Sequence, residues 1–243
     1  MMDFATLCKS KKVALQFSGG KDSLVLLHMM QPFWSDLTVY YVNSGDSFPE
    51  TDELMAAVQT IVPNFIKVPG RKRLVEQVLG WPSDVLTSNS SDVAHELGEV
   101  GPKLVDRYKC CFHSLMEPLH ERMLADGIEV ILRGQRNNDT LQSPVRSGDV
   151  VDGFTIIFPL ADLTEEQVFA YLDEHNIPVP RFYTEGMSSG GDCMRCTAWL
   201  EHGQAKYLNK FHPQTAKLVF QRLAEIKKAT DEKYERLLKA LEE

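Results

Sequence analysis

An α/β chain with a doubly wound, mostly parallel sheet and a C-terminal helical extension is predicted by two observations. Short β-rich apolar runs alternate with helical patterns, and the first run ends on a Gly-Gly pair that opens a helix. In such sheets ligands sit beyond the carboxyl ends of the strands, so function is to be sought in those loops.

The elements follow in order. Val13 to Phe17 is an apolar run bounded by Ser18-Gly19-Gly20, as expected of a buried strand, and Asp22 to Met30 continues it as a helix. Leu37 to Val42, Phe65 to Val68, Ile128 to Leu132 and Thr155 to Phe158 have the same β-rich character. Helices are expected over Thr51 to Ile61, Leu115 to Ala125 and Thr164 to His175. The loops after Phe17, Val42 and Leu132 should therefore converge on one pocket. Trp81 to Arg107 is rich in Ser, Asp, Gly and Pro and is expected to form a partly helical excursion over the site. Beyond it, Leu223, Ile226, Tyr234, Leu237 and Leu241 recur near helical spacing amid Lys and Glu. They predict an amphipathic helix packed on the same domain, with a homodimer contact as the alternative.

A chain of 243 residues accommodates one substantial core, here residues 1–199, with residues 200–243 as the helical extension. No apolar run is long enough to span a bilayer, and Met1 to Thr6 lacks the plan of a signal peptide, so a cytoplasmic protein is expected. The net charge of −8 creates no general field for a polyanion, which argues against direct nucleic-acid binding. In that compartment five cysteines point to metal or redox chemistry rather than disulfides.

Ser18-Gly19-Gly20-Lys21-Asp22-Ser23 joins the first strand to its helix. Such a turn aims backbone N–H groups and a positive helix end at one point, which suits phosphate. Lys21 adds a mobile positive charge, and Ser18 and Ser23 offer hydroxyls to phosphate oxygens or hydrated magnesium. The spacing is not that of a Walker A loop. After the second strand, Asn43, Ser44, Gly45 and Asp46 stand where a nucleotide is met, with Asp46 a candidate for a ribose hydroxyl or a metal-bound water. Glu50-Thr51 opens the next helix, with Thr51 a candidate cap. After Leu132, Arg133, Arg136 and Arg146 suggest an anion site, because guanidinium forks match phosphate and sulfate oxygens.

Cys110 and Cys111 are adjacent, and Cys193 and Cys196 form a Cys-x-x-Cys pair. Neighbouring cysteines do not easily share one tetrahedral zinc, whereas a cubane offers each thiolate its own iron corner. A 4Fe-4S cluster is the favoured reading and structural zinc the alternative. Cys8 is isolated and has no assigned role.

The hexapeptide Ser18 to Ser23 resembles the PP-loop of N-type ATP pyrophosphatases, which belong with adenine nucleotide alpha hydrolase-like folds. Over about residues 11 to 199 the chain is similar to the phosphoadenylyl-sulfate and adenylyl-sulfate reductase family. The resemblance rests on Ser44 to Thr51, on Cys110-Cys111 followed by Glu117-Pro118-Leu119, and on Arg133 to Arg136 with Gln142-Ser143-Pro144. Pro159 to Val168, His175 to Pro178 and Cys193 to Thr197 follow in the family's order. It implies a cluster on Cys110, Cys111, Cys193 and Cys196. Two departures matter: no cysteine follows Cys196, where reductases carry their attacking thiol, and Ser114 and Leu115 replace an Arg-Lys pair. Ser18 to Ser23 also keeps the form associated with intact ATP.

The resemblance therefore implies an ATP-dependent enzyme that adenylates an acceptor, releases pyrophosphate and supports sulfur transfer at the cluster, with a sulfur donor protein as partner. Lys21 and the loop amides would neutralise the departing pyrophosphate, Asp22 and Asp46 would hold magnesium, and Arg133, Arg136 and Arg146 would grip the acceptor or phosphate end. A sulfonucleotide reductase, a sulfate adenylyltransferase subunit and a non-catalytic nucleotide-binding scaffold are the alternatives.

Overall fold

The computed structural model describes residues 3–99, 101–139, 143–190 and 193–242; Gln142 lies outside them. Helix α1 (Phe4–Ser10) precedes strand β1 (Val13–Gln16), followed by α2 (Lys21–Met29), β2 (Leu37–Asn43), α3 (Pro49–Ile61), β3 (Phe65–Pro69) and α4 (Lys72–Leu79). The excursion contains β4 (Trp81–Ser83), α5 (Asp92–Glu96) and β5 (Leu104–Asp106). Then come α6 (Arg107–Cys111), α7 (Glu117–Ala125), β6 (Val130–Leu132), β7 (Val150–Val151), β8 (Phe154–Ile157), α8 (Glu165–Glu174), α9 (Arg181–Thr184), α10 (Gln204–Phe211) and α11 (Pro213–Glu242).

The main sheet runs β3-β2-β1-β6-β8-β7, parallel except for the β7–β8 pair. Alternation along the strands feeds two cores. Val13 and Leu15, with Leu37, Val39 and Tyr41, face one layer, where Leu24 to Leu27 of α2 and Val168 and Leu172 of α8 are buried. Ala14, Tyr40 and Ile131 face the other, against Met123 of α7. Chain order reverses between β1 and β6, so the crevice expected of such sheets opens at their carboxyl ends. The expected fold class is thereby borne out.

Three local details depart from the sequence reading. The excursion is not merely helical: β4 and β5 pair in parallel as a small second sheet. Helix α3 starts at Pro49, whose missing N–H costs nothing in the first turn, so Thr51 lies buried inside the helix rather than capping it. The helix expected from Leu115 begins earlier, at Arg107, where the Asp106 side chain accepts the Lys109 N–H at 2.8 Å. Between α6 and α7, Phe112–Met116 forms a π-type turn. Pro118 has no N–H to offer the Ser114 carbonyl, which instead accepts the Arg71 N–H at 2.8 Å. The helix carrying both adjacent cysteines is thus tied to the start of α4.

Helices α10 and α11 pack through Tyr207, Leu208, Ala216 and Val219 onto Phe48, Phe182 and Met187. Farther along α11, Tyr234, Leu237, Leu238 and Leu241 are exposed. Among the described residues no helix is long and apolar enough to cross a membrane.

Candidate functional site

A cavity of about 650 Å³ opens at the carboxyl ends of β1 and β6, with α4, α6 and the segments around Ser188 and Cys193 completing its wall. Ser18, Gly20, Lys21, Asp22 and Ser23 line it from the first loop, and Ser44, Arg133 and Arg136 from the second and third. Cys110, Cys111, Cys193 and Cys196 line it as well. The expected convergence of the three loops is realised.

Gly19 takes φ +79°, a left-handed backbone that glycine reaches without strain, and a Cβ there would lie 2.6 Å from the Met55 methyl. The turn delivers Gly20 as the N-cap of α2. Ser18 Oγ accepts the Gly20 N–H at 3.3 Å, and Ser23 Oγ donates to the Gly20 carbonyl at 2.9 Å. The Lys21 N–H donates to Tyr183 Oη at 3.3 Å.

Lys21 is not the mobile cation expected. Its side chain is 8% exposed and sits 3.2 Å from Asp22 and 3.6 Å from Glu165. Asp22 in turn meets Arg136 at 2.6 Å, and Arg136 pairs with Asp139 at 2.7 Å. Gly134 allows this closeness, since a Cβ there would lie 3.0 Å from the backbone of Asp22 and Ser23. Asp22, expected to hold magnesium, is therefore already between two cations.

Arg133 differs. Its Nε donates to Gln16 Oε1 at 2.6 Å, burial alone pushes its guanidinium below the ordinary arginine range, and among the described residues no carboxylate pairs with it. A half-buried cation without a counter-charge on a cavity wall invites an anion.

The loop after β2 behaves differently from expectation. Asn43 Oδ1 accepts the Gly45 N–H at 2.7 Å and Ser44 Oγ accepts the Asp46 N–H at 3.0 Å, so Asn43 and Gly45 shape a turn and are absent from the cavity wall. Asp46 faces the Cys-x-x-Cys segment. Its carbonyl accepts the Met194 N–H at 2.7 Å, its carboxylate accepts the Arg195 N–H at 3.0 Å, and Lys72 Nζ lies 3.1 Å away. Both Asp46 and Lys72 side chains are 5% exposed. Arg146 is exposed on the turn before β7 and does not reach the cavity.

None of the five cysteines is in a disulfide, and Cys110 and Cys196 are buried. Burial, together with the nearby Cys111 and Cys110 thiols, pushes Cys196 up to about 12. Burial likewise raises Cys110, whose Sγ contacts Ser114 Oγ at 3.8 Å. The four thiols share one wall, yet among the described residues no three Cys, His, Asp or Glu side chains close into a metal-ligand set. The donor chemistry suits a thiolate-bound centre. Cys8 is buried in the α1 core, away from the cavity.

Lys72, Glu165 and Tyr183 were not legible as site residues. Lys72 sits in an Arg-Lys-Arg run that reads as a solvated helix start, and Tyr183 carries no local motif. Burial pulls the Lys72 ammonium down, but Asp46 and Glu76 hold it above its ordinary range.

A phosphate-type loop at the switch point of a parallel sheet, with an arginine loop beside it, defines the PP-loop class of α/β proteins. The phosphoadenosine phosphosulfate reductase domain matches residues 12–199, and the chain belongs to that family. It is 29% identical over 208 residues to the phosphoadenosine 5'-phosphosulfate reductase of Gloeobacter violaceus, covering 82% of this chain and 77% of that protein. It is 26% identical over 201 residues to the adenosine 5'-phosphosulfate reductase of Salinibacter ruber, covering 81% and 72%. Among solved structures, the phosphoadenylyl-sulfate reductase of Candida auris in its phosphate complex superposes with a TM-score of 0.53 at 18% identity, over 78% of this chain and 85% of that one. That likeness concerns the fold.

Proposed function

We propose that this chain is an ATP-using member of the family, which adenylates an oxygen of an acceptor, releases pyrophosphate and supports sulfur transfer at a centre held by Cys110, Cys111, Cys193 and Cys196. The observation that carries the nucleotide part is Arg133, a partly buried cation on the cavity wall with no carboxylate partner among the described residues. An anionic phosphate supplies the missing charge. ATP is favoured over a sulfonucleotide because Ser18 to Ser23 resembles the loop of enzymes that split intact ATP. Lys21, fixed between Asp22 and Glu165, and the amides at the start of α2 would neutralise the charge that develops on departing pyrophosphate. Magnesium enters with the triphosphate as part of the substrate.

Product analysis tests this reading. Anaerobically purified protein is expected to convert ATP to AMP and pyrophosphate once given its acceptor, and Arg133→Gln to weaken ATP binding about ten- to a hundredfold, the scale of a lost charge-assisted hydrogen bond. Unchanged affinity in that variant refutes the assignment. The names of the relatives favour a second reading, sulfonucleotide reduction. It requires sulfite release from adenylyl sulfate or its 3′-phosphorylated form with thioredoxin. We expect none, because no cysteine lies between Cys196 and Glu243 and Cys8 is buried in the core.

A 4Fe-4S cluster would engage all four cysteines, one thiolate per iron, and would supply a redox-active and electrostatic centre on the cavity wall. Anaerobic protein is expected to be brown with about four irons, and Cys196→Ser to lose them. Colourless protein with one zinc would select the zinc alternative.

A further inference from the structure

We propose that the Tyr183 hydroxyl is an internal occupant of the anion position at the start of α2, which a nucleotide phosphate must displace on binding. The inference rests on the nucleotide reading above and adds a residue that sets its affinity.

The hydroxyl stands directly over the phosphate-type loop. The Lys21 N–H donates to Tyr183 Oη at 3.3 Å, and a Cβ built on Gly20 would lie 3.1 Å from the same oxygen. Ser18 Oγ takes the neighbouring Gly20 N–H at 3.3 Å. The Gly20 and Lys21 amides are therefore each answered by a hydroxyl of the chain itself. Lys21 Nζ also lies 5.7 Å from the centre of the Tyr183 ring, so the phenol faces both the backbone and the side-chain cation of the loop. The half-buried Arg133 lines the same cavity, lacks a carboxylate partner among the described residues, and is independent of Tyr183.

A phenol oxygen is a neutral acceptor at a positive helix end, whereas a phosphate oxygen is a charged one. Exchange of the first for the second is favourable, but its gain is reduced by the hydrogen bond given up. The mounting of Tyr183 suits such an exchange. Phe182 beside it is 1% exposed, packed with Phe48 and Tyr207, and Arg181 pairs with Glu50 at 2.8 Å. The backbone of α9 is thus anchored while the Tyr183 side chain is only partly buried. Rotation about its own side-chain bonds removes the oxygen without moving α9. The consequence is selectivity: a weak monoanion gains little by displacing the phenol, and a polyphosphate that also reaches Arg133 gains more.

Tyr183→Phe gives a test with a sign. The ring and its packing on Phe169 and Phe182 remain, so the fold is preserved. The variant is expected to bind inorganic pyrophosphate and ATP roughly two- to tenfold more tightly by calorimetry, the worth of one net hydrogen bond. Without ligand, hydrogen exchange over residues 18–24 is expected to speed up as the Lys21 amide loses its acceptor. Arg133→Gln in the same assay should weaken binding in both backgrounds. Equal or weaker binding by Tyr183→Phe overturns the inference alone, since the hydroxyl would then be a bystander or a ligand. If neither protein binds pyrophosphate or ATP, the nucleotide reading falls and this inference with it.

Discussion

Lys21→Ala is expected to lower pyrophosphate release from ATP about a hundredfold or more, the loss seen when one fixed charge-stabilising donor is removed from a transition state. The ammonium group is held at 3.2 Å from Asp22 and 3.6 Å from Glu165, with little exposure, so its position is set before any nucleotide arrives. A preplaced cation needs no reorganisation when negative charge builds on the leaving group. ATP affinity should fall less than turnover, because the α2 amides and Arg133 remain. The fold should survive, since Asp22 keeps Arg136 at 2.6 Å as its counter-charge. Lys21→Arg keeps the charge but not the compact ammonium, and should recover only part of the rate. Turnover of Lys21→Ala equal to the parent chain would remove Lys21 from the reaction.

What the sequence makes legible follows from how the interactions are encoded. Strands β1, β2 and β6 are buried on both faces, so Val13 to Phe17, Leu37 to Val42 and Ile128 to Leu132 appear as continuous apolar runs. The glycine pair then marks where the first strand turns into a helix. Convergence of the loops after β1, β2 and β6 is a consequence of topology, and needs no contact to be known in advance.

Contacts between segments remote in sequence are not written this way. The pairing of β4 with β5 joins three-residue strands, one of them containing Pro82, and each alone looks like a turn. Tyr183 meets Lys21 only because α9 folds back over the start of α2. The loop at Asn43 to Asp46 presents the sharper contrast. A polar loop at a strand end has the composition of a nucleotide contact and equally that of a turn. Here Asn43 and Ser44 cap backbone amides, and the carboxylate that looked free for magnesium is turned toward Arg195 and Lys72. Location at the right end of the sheet did not determine which way the side chain would point.

That orientation gives Asp46→Ala its expected effect. Asp46 links three separate parts of the chain: its own loop after β2, Lys72 at the start of α4, and Met194-Arg195 within the Cys-x-x-Cys segment. The substitution leaves a lysine of 5% side-chain exposure with Glu76 as its remaining close carboxylate, and removes the acceptor of the Arg195 amide. Loss of one partner from a buried ion pair costs about 3 kcal/mol when the rest of the network stays. For a chain of this size that lowers the melting temperature by roughly 6–12 °C. The Asp46 carbonyl still accepts the Met194 N–H at 2.7 Å, so the segment should loosen rather than detach. Cys193 and Cys196 should then react faster with a thiol-alkylating reagent, while Cys8, remote from Asp46 in the α1 core, should not. Arg195→Ala separates the two consequences. Its side chain is 47% exposed, so stability should change little, and the Arg195 amide bond to Asp46 is retained. Unchanged melting and alkylation in Asp46→Ala would mean that the carboxylate is not what fixes the cysteine segment, and would return it to the nucleotide side of the cavity.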